Sequence, residues 1–393
     1  MSSETSSSSS TRGGAALLLG AALCGFDAGM IGYVLPAMRA DTGASALVAS
    51  WLLSLYVVGT LVAIPTAGLA VRRWGGAAVF RSCAALAAIG ALIALTARAP
   101  AILVAARLVQ GLGMGPLLPV AAAIVAIEWP PERQGRLMGL LSLAYGVCYL
   151  GATVVAPWAL GLGWRSMFAC SFAAAAVAAI RSAPSTGSNS VTIAPPLYDA
   201  MRALRHIAAL GALSFGTGIG QAVVVYFPTL AVQRLNVAPA ASAPLMLPLV
   251  IAGVATTLAI TAILDRLGAK IILAAGAAAT LAGIALGASA PAERLFFLGA
   301  TALLGAGITG LCGGPLRHAA AHAVRREEQG PAQAAVALLT NIGVLAGSTM
   351  LGAVMSHGSD ERAAIEIAMA IAWIVMAATF SAVVALPRHW SAR

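Results

Sequence analysis

Long apolar segments that few charges interrupt make up most of this chain. Of its 393 residues, 60% are hydrophobic and only 9% are charged. A soluble domain carries about 25% charged residues, so this chain has too little polar surface to fold in water. A membrane helix needs about 20 mainly apolar residues, and cutting the sequence at charged, proline and glycine clusters leaves twelve such segments. The sequence therefore predicts an all-α membrane protein that is surrounded by a lipid bilayer.

The twelve segments form two groups of six with a polar stretch between them. The first group covers residues 14–38, 47–71, 76–97, 100–127, 135–158 and 162–181, and the second covers 204–232, 243–264, 269–289, 294–323, 331–356 and 363–386. We predict a disordered cytoplasmic tail at 1–13, an N-terminal six-helix bundle at 14–181, a cytoplasmic linker at 182–203, a C-terminal six-helix bundle at 204–386 and a cytoplasmic tail at 387–393.

Sequence landmarks recur about half a chain apart, which indicates that a six-helix unit has been duplicated. A basic turn reads GLAVRRWGG at residues 68–76 and ILDRLGAK at residues 263–270. Its glycines, Gly75 and Gly268, are 193 residues apart (268 − 75). Many transporters consist of such repeats and bind their substrate where the repeats meet. The duplication therefore predicts two pseudo-symmetric bundles around a central cavity.

The distribution of basic residues predicts the orientation of the chain in the membrane. With the N-terminus inside, fifteen of the 23 Lys and Arg residues lie on the inner side and six on the outer side. Basic residues concentrate in cytoplasmic loops, so both termini should be cytoplasmic, and we expect a bacterial inner membrane. The net charge of +10 is spread over short loops rather than gathered in one patch, so no nucleic-acid partner is expected.

Several short motifs, taken in their order and spacing, resemble the major facilitator superfamily over residues 15–386. The family's fourth-span pattern R-x-x-Q-G-x-G appears as Arg107, Gln110, Gly111 and Gly113. The second basic turn keeps the family's acidic and basic pair, whereas the first copy has Arg72 in place of the aspartate. The resemblance implies a secondary active transporter that works by alternating access as a monomer, with a small-molecule substrate, with protons as the coupling ion and with no other cofactor or metal.

Segments of the first, fifth and eleventh spans bear on the direction of transport. Span 1 reads GFDAGMIGYVLPAM, which resembles drug and metabolite:proton antiporters and also sugar and aromatic-acid:proton symporters. Span 11 resembles the antiporters, but their span 5 signature survives only in part, with alanines at 152 and 156. We expect proton-coupled efflux of a drug or metabolite; the alternatives are import of an organic anion such as an aromatic carboxylate and, more remotely, a non-transporting sensor. No catalytic Ser/His/Asp set is present, so an enzyme is not expected.

Two charged residues within the apolar spans are the candidate proton-coupling site. A charge in hydrocarbon costs about 3 kcal/mol on insertion scales, so each one calls for an explanation. Asp27 lies roughly 18–20 Å from the inner edge of the hydrocarbon, and Arg107 lies roughly 10 Å from its outer edge. Because the hydrocarbon core is about 30 Å thick, the two residues lie at similar depths. We hypothesise that Asp27 takes up the proton and that Arg107 modulates it. The alternative is a fixed ion pair that holds spans 1 and 4 together.

The second half has no carboxylate at the corresponding depth, so its candidate residues are mostly uncharged. The predicted substrate-binding set is Gln221, Tyr226, Arg317, Tyr33 and Asn341. For Arg317 the alternative is an interfacial side chain that reaches out of the membrane. The family's loop motifs imply a conformational latch on the inner side, formed by Glu128, Arg73, Asp265 and Arg266.

Overall fold

The structure is a computed structural model that describes residues 2–129, 131–181, 208–289, 293–312, 314–323, 329–357 and 360–386. The predicted linker at 182–203 and the predicted tail at 387–393 lie outside these ranges. Within them the ordered backbone is helical and contains no strand, so the all-α prediction is confirmed.

The described residues of the first half form six helices. They are α1 (Ser2–Thr42), α2 (Ala46–Trp74), α3 (Gly76–Thr96), α4 (Pro100–Glu128), α5 (Pro131–Gly161) and α6 (Arg165–Arg181). Helix α1 packs on α4, α5 and α6, and α3 packs on α4 and α6. The core between these helices consists mainly of small and medium apolar side chains, among them Ala21, Phe80, Ala87 and Leu117.

The described residues of the second half form six long helices and three short ones. They are α7 (Ala208–Leu235), α8 (Pro239–Ser242), α9 (Leu247–Leu267), α10 (Ala269–Ser289), α11 (Arg294–Cys312), α12 (Gly314–His322), α13 (Gln329–His357), α14 (Glu361–Phe380) and α15 (Ala382–Ala385). The packing repeats that of the first half, because α10 packs on α11 as α3 does on α4, and α7 packs on α13 as α1 does on α5.

Ten helical stretches of the described residues are long and apolar enough to cross a membrane, or eleven if the bent α5 is counted as one span. Helix α5 bends by 48° between its segments Leu143–Tyr149 and Val154–Gly161. Pro157 lies one turn after this bend, and its ring removes the hydrogen bond to the carbonyl group of Thr153. The remaining predicted span corresponds to α6, whose 17 residues extend about 25 Å.

The duplicated basic turn has the same backbone conformation in both copies. Gly75 separates α2 from α3 with φ 82° and ψ 155°, and Gly268 separates α9 from α10 with φ 76° and ψ 158°. Side chains disfavour this region, so a glycine is required at both turns. The sequence repeat is therefore also a structural repeat.

Two segments differ from the predictions. Helix α1 begins at Ser2, although a disordered tail is predicted for residues 1–13; adding turns to an existing helix is far easier than nucleating one. The predicted span 363–386 is divided at Ser381. The described residues of the predicted span 294–323 lie mainly in α11 and α12.

The chain divides into two compact units that follow the two halves with one exchange. The first contains Met1–Ala44 and Leu55–Ala194, and the second contains Ser45–Ser54 and Pro195–Arg393. The prediction places all of residues 14–181 in one bundle, whereas the start of α2 groups with the second unit. A physical reason is that Ser54 Oγ lies 2.9 Å from the hydroxyl oxygens of both Ser348 and Thr349 on α13.

Candidate functional site

A fully buried polar cluster joins α1 to α4 within the first unit. Asp27 is 0% exposed, Gln110 is 0% exposed and Arg107 is 2% exposed. Nη1 of Arg107 lies 3.2 Å from both carboxylate oxygens of Asp27. The structure thus brings together the two charged residues that the sequence analysis selects.

Gln110 bridges the two charged groups and closes a ring of hydrogen bonds. Its Nε2 donates to Oδ1 of Asp27 over 2.8 Å, and its Oε1 accepts from Nη1 of Arg107 over 2.7 Å. The amide orientation follows from these partners, because a carboxylate only accepts hydrogen bonds and a guanidinium only donates them. The sequence analysis quotes Gln110 as part of a family pattern but not as a site residue. Its spacing of three residues from Arg107, which places both on one helix face, is the signal that identifies it.

An aromatic ring covers the guanidinium group. The carbon Cζ of Arg107 lies 4.3 Å from the ring centroid of Tyr56 on α2. A cation over an aromatic face gains about 0.5–2 kcal/mol, with the larger values where water is excluded. Tyr56 therefore stabilises the charge of Arg107 from a third helix. No motif in the sequence indicates this contact.

Two glycines bring the neighbouring backbones close enough to form the cluster. A Cβ atom on Gly111 would collide with the carbonyl oxygen of Tyr56, so α2 and α4 touch next to Gln110. On the other side, a Cβ atom on Gly90 of α3 would lie 2.6 Å from the backbone nitrogen of Gln110. The backbone of Gln110 is thereby held between α2 and α3, and only its side chain has freedom to move.

The cluster lies deep within a candidate membrane span. Asp27 follows the start of the span Gly14–Thr42 by 13 residues, which is about 20 Å of helix. At 3.2 Å and an effective dielectric constant of about 20, opposite unit charges attract by about 5 kcal/mol. This attraction offsets part of the cost of removing both groups from water. The arrangement can hold an ionised carboxylate away from solvent and can respond when that carboxylate gains a proton.

The predicted substrate residues of the second unit whose side chains the structure describes lie on α7 and α13. On α7, Gln221 is half-buried and its Nε2 donates to Sγ of Cys312, 3.1 Å away at the end of α11. Tyr226 is buried at 1% exposure. On α13, the Nδ2 atom of Asn341 donates over 3.0 Å to the carbonyl oxygen of Ala337 in its own helix. In the first unit, Tyr33 on α1 is buried at 6% exposure.

Most of the predicted latch lies outside the described part of the structure. This applies to the side chains of Glu128, Asp265 and Arg266, and also to that of Arg317 in the substrate-binding set. Arg73 is exposed, and its guanidinium carbon lies 5.7 Å from the ring centroid of Trp74. The latch therefore stays a prediction.

A second polar cluster joins helix ends of the first unit. Arg165 Nη1 lies 2.7 Å from Oδ2 of Asp41, Trp164 Nε1 donates to the same oxygen over 3.0 Å, and Arg165 Nη2 donates to the carbonyl oxygen of Ala97. Asp41 and Arg165 border a cavity of about 640 Å³ together with Arg98. The side chains of Arg165 and Asp41 are 37% and 49% exposed, in contrast to the buried pair.

Comparisons with known proteins identify the family. The model of the Major Facilitator Superfamily matches residues 17–348. The chain is 30% identical over 152 residues to the multidrug resistance protein B homolog of Mycobacterium tuberculosis, an alignment of 38% of this chain and 28% of the relative. It is 27% identical over 273 residues to a chloramphenicol resistance protein of Streptomyces lividans, covering 66% of this chain and 69% of the relative. The chain thus spans about a quarter of the length of the first of these relatives.

Solved structures share the fold over nearly the whole chain. The nucleoside transporter NupG, as its D323A mutant, superimposes with a TM-score of 0.81 at 14% identity, covering 95% of this chain and 99% of NupG. A D-xylose-proton symporter gives a TM-score of 0.71 at 16% identity, covering 92% and 96% of the two chains. The predicted family resemblance is confirmed: the chain belongs to the Major Facilitator Superfamily, whose members are transporters rather than enzymes, and it is an integral membrane protein.

Proposed function

We propose that this transporter exports a drug or metabolite in exchange for protons, with Asp27 as the group that takes up the proton and Arg107 as its modulator. The observation that carries the proposal is the buried ion pair of Asp27 and Arg107 within two candidate membrane spans. An ionisable side chain inside a membrane span is expensive and is by default a candidate for function, and a carboxylate can bind and release one proton.

The direction of transport rests on the relatives rather than on the fold. Two of the curated relatives carry names that refer to drug resistance, and both are bacterial. The structural neighbours are too distant in sequence to indicate a substrate. We therefore propose a bacterial inner membrane as the location and export as the direction. The excess of basic residues on one side supports cytoplasmic termini.

The substrate contacts of the second unit are proposed to come from α7. Gln221 presents an amide and Tyr226 a phenol, and both are uncharged groups that hydrogen-bond to drugs of varied charge. Asn341 and Tyr33 complete the proposed set on α13 and α1, and Arg317 belongs to it through its place on α12. Apart from Arg317 the proposed set is uncharged, which suits an exporter of neutral molecules.

The experiment is transport in proteoliposomes that carry a pH gradient, with chloramphenicol and a lipophilic cation such as ethidium as probes. Asp27→Asn should abolish transport that the gradient drives, since the amide cannot take up a proton. Exchange of probe across the membrane without a gradient should persist. Asp41→Asn, which removes an exposed carboxylate from the end of the same helix, is the matched control and should transport normally. Gradient-driven transport by Asp27→Asn at the normal rate would refute the proposal.

A further inference from the structure

The hydrogen bonds around Asp27 belong to its ionised form. Each contact that the structure describes for this carboxyl group comes from a donor: Nη1 of Arg107 reaches both oxygens, and Nε2 of Gln110 reaches Oδ1. A protonated carboxyl group carries an O–H donor and needs an acceptor. Protonation in this arrangement would direct a donor at other donors, which is costly in a buried site.

The side-chain amide oxygen of Gln110 is an acceptor in the amide group next to Asp27. This oxygen, Oε1, accepts from Arg107 over 2.7 Å while Nε2 donates to Asp27 over 2.8 Å, so the two ends of one amide bridge the acid and the base beside their direct contact. Half a turn about the last side-chain torsion exchanges these ends. That torsion is soft because it joins tetrahedral and planar carbons. The backbone is held by the close approach of Gly90 and by the contact of Gly111 with Tyr56, so the movement is confined to the side chain.

We propose that Gln110 is a positioning residue whose side-chain amide turns when Asp27 is protonated and thereby detaches Arg107. One proton from solvent binds a carboxylate oxygen, and the new O–H group donates a hydrogen bond to Oε1 of Gln110. No other covalent bond is made or broken. Nε2 of Gln110 then faces the guanidinium group, where two donors repel each other. Arg107 loses the charge of Asp27 and the amide acceptor together and keeps the ring of Tyr56. This inference rests on the proposed proton uptake by Asp27.

Other titratable groups face Asp27 from the helices around it. They are Cys24 on its own helix and Tyr56 on α2, in addition to Arg107 on α4, while the electrostatic influence of Tyr145 on α5 falls on Tyr56. The thiol of Cys24 lies 3.6 Å from the carbonyl oxygen of Met114. Gln110 is the residue whose described hydrogen bonds reach both the acid and the base.

The test is infrared difference spectroscopy of the reconstituted full-length protein between neutral and acidic pH, which needs no substrate. We expect a protonated-carboxyl band of Asp27, absent from Asp27→Asn, together with a shifted side-chain amide band of glutamine. Both should appear with one midpoint pH. The amide band should vanish in Gln110→Leu and persist in Gln233→Leu, which removes a glutamine that donates to the exposed Glu361. Labelling glutamine side chains with carbon-13 identifies the band in the unaltered protein if Gln110→Leu fails to fold.

The possible results separate the inference from the proposed function. An Asp27 carboxyl band that rises without any change in the Gln110 amide band overturns the inference and leaves proton uptake by Asp27 intact. If no Asp27 band rises on acidification, both are wrong. In proteoliposomes with the probes named above, Gln110→Leu should lose at least tenfold of gradient-driven transport and keep exchange within twofold. An equal loss of both activities would indicate a merely structural role and would also overturn the inference.

Discussion

Removing one partner of the buried pair should destabilise the protein far more than removing both. Asp27→Leu leaves the charge of Arg107 at 2% exposure, and Arg107→Met leaves the carboxyl group of Asp27 at 0% exposure. A single deletion from a buried pair costs about 3–5 kcal/mol, whereas replacing the whole pair with apolar groups is often neutral. The Coulomb attraction of about 5 kcal/mol at 3.2 Å has the same size. We expect each single variant to lose about 3–4 kcal/mol, since Gln110 and Tyr56 still contact the remaining group.

The double variant should lose less than about 2 kcal/mol, which gives a coupling energy of at least about 4 kcal/mol. The assay is reversible unfolding in micelles of mild detergent to which dodecyl sulfate is added, followed through the fluorescence of the seven tryptophans. The matched control is the cycle of Asp41→Asn and Arg165→Met. This pair is closer, at 2.7 Å, but 37% and 49% exposed, so its coupling should stay below about 1 kcal/mol.

Additive losses at Asp27 and Arg107 would refute this reasoning. If the double variant loses the sum of the single losses to within about 0.5 kcal/mol, the two groups do not compensate each other's burial. A coupling as small as that of the exposed pair would lead to the same conclusion. In either case the ion pair would be no explanation for two charges in this part of the membrane.

Three further predictions concern close packing, the repeated turn and the second unit. Gly111→Ala should force α2 away from α4 and reduce gradient-driven transport. The control Gly151→Ala, whose added Cβ atom would meet nothing within 4 Å, should transport normally. Equal transport by the two variants would contradict the role of the contact between Gly111 and Tyr56. Gly268→Ala should lower the free energy of unfolding by about 1–2 kcal/mol, because φ is +76° there. In thermal unfolding Gly161→Ala should have a smaller effect, since a Cβ atom at Gly161 would meet nothing within 4 Å. In a variant that keeps only Cys312, Gln221→Leu should speed maleimide labelling, since the amide covers the sulfur atom; an unchanged rate would exclude that contact.

The pairing of Asp27 with Arg107 is predictable because helix geometry converts sequence position into depth. Each residue advances a helix by 1.5 Å, so two charges on different spans can be compared without a structure. The role of Gln110 is only partly predictable. Its spacing from Arg107 places both on one face, but the bridging amide depends on how α1 packs against α4.

Other features depend on contacts that no single segment encodes. Tyr56 lies over Arg107 because Gly111 admits the backbone of α2, a relation between residues 55 positions apart (111 − 56). Pro65 and Pro228 both lie within continuous helices. Proline in an apolar span therefore does not by itself mark where a helix ends, since neighbouring helices satisfy the freed backbone groups.

The second unit shows that the six-helix architecture does not need the charged cluster. The close approach of α2 and α4 recurs there, because a Cβ atom on Gly305 of α11 would collide with the carbonyl oxygen of Leu249 in α9. Gly305 and Leu249 correspond to Gly111 and Tyr56 by the offsets of the repeat, 194 and 193 residues. The positions that correspond to the cluster carry Gly220 or Gln221 for Asp27, Leu249 for Tyr56, Thr301 for Arg107 and Leu304 for Gln110.

The same packing thus forms in the second unit with no charge at these positions. A buried ion pair that packing does not require, and that costs free energy to place in a membrane, calls for a function in the first unit. Proton uptake by Asp27 meets that requirement, whereas a purely structural pair would leave the difference between the units unexplained.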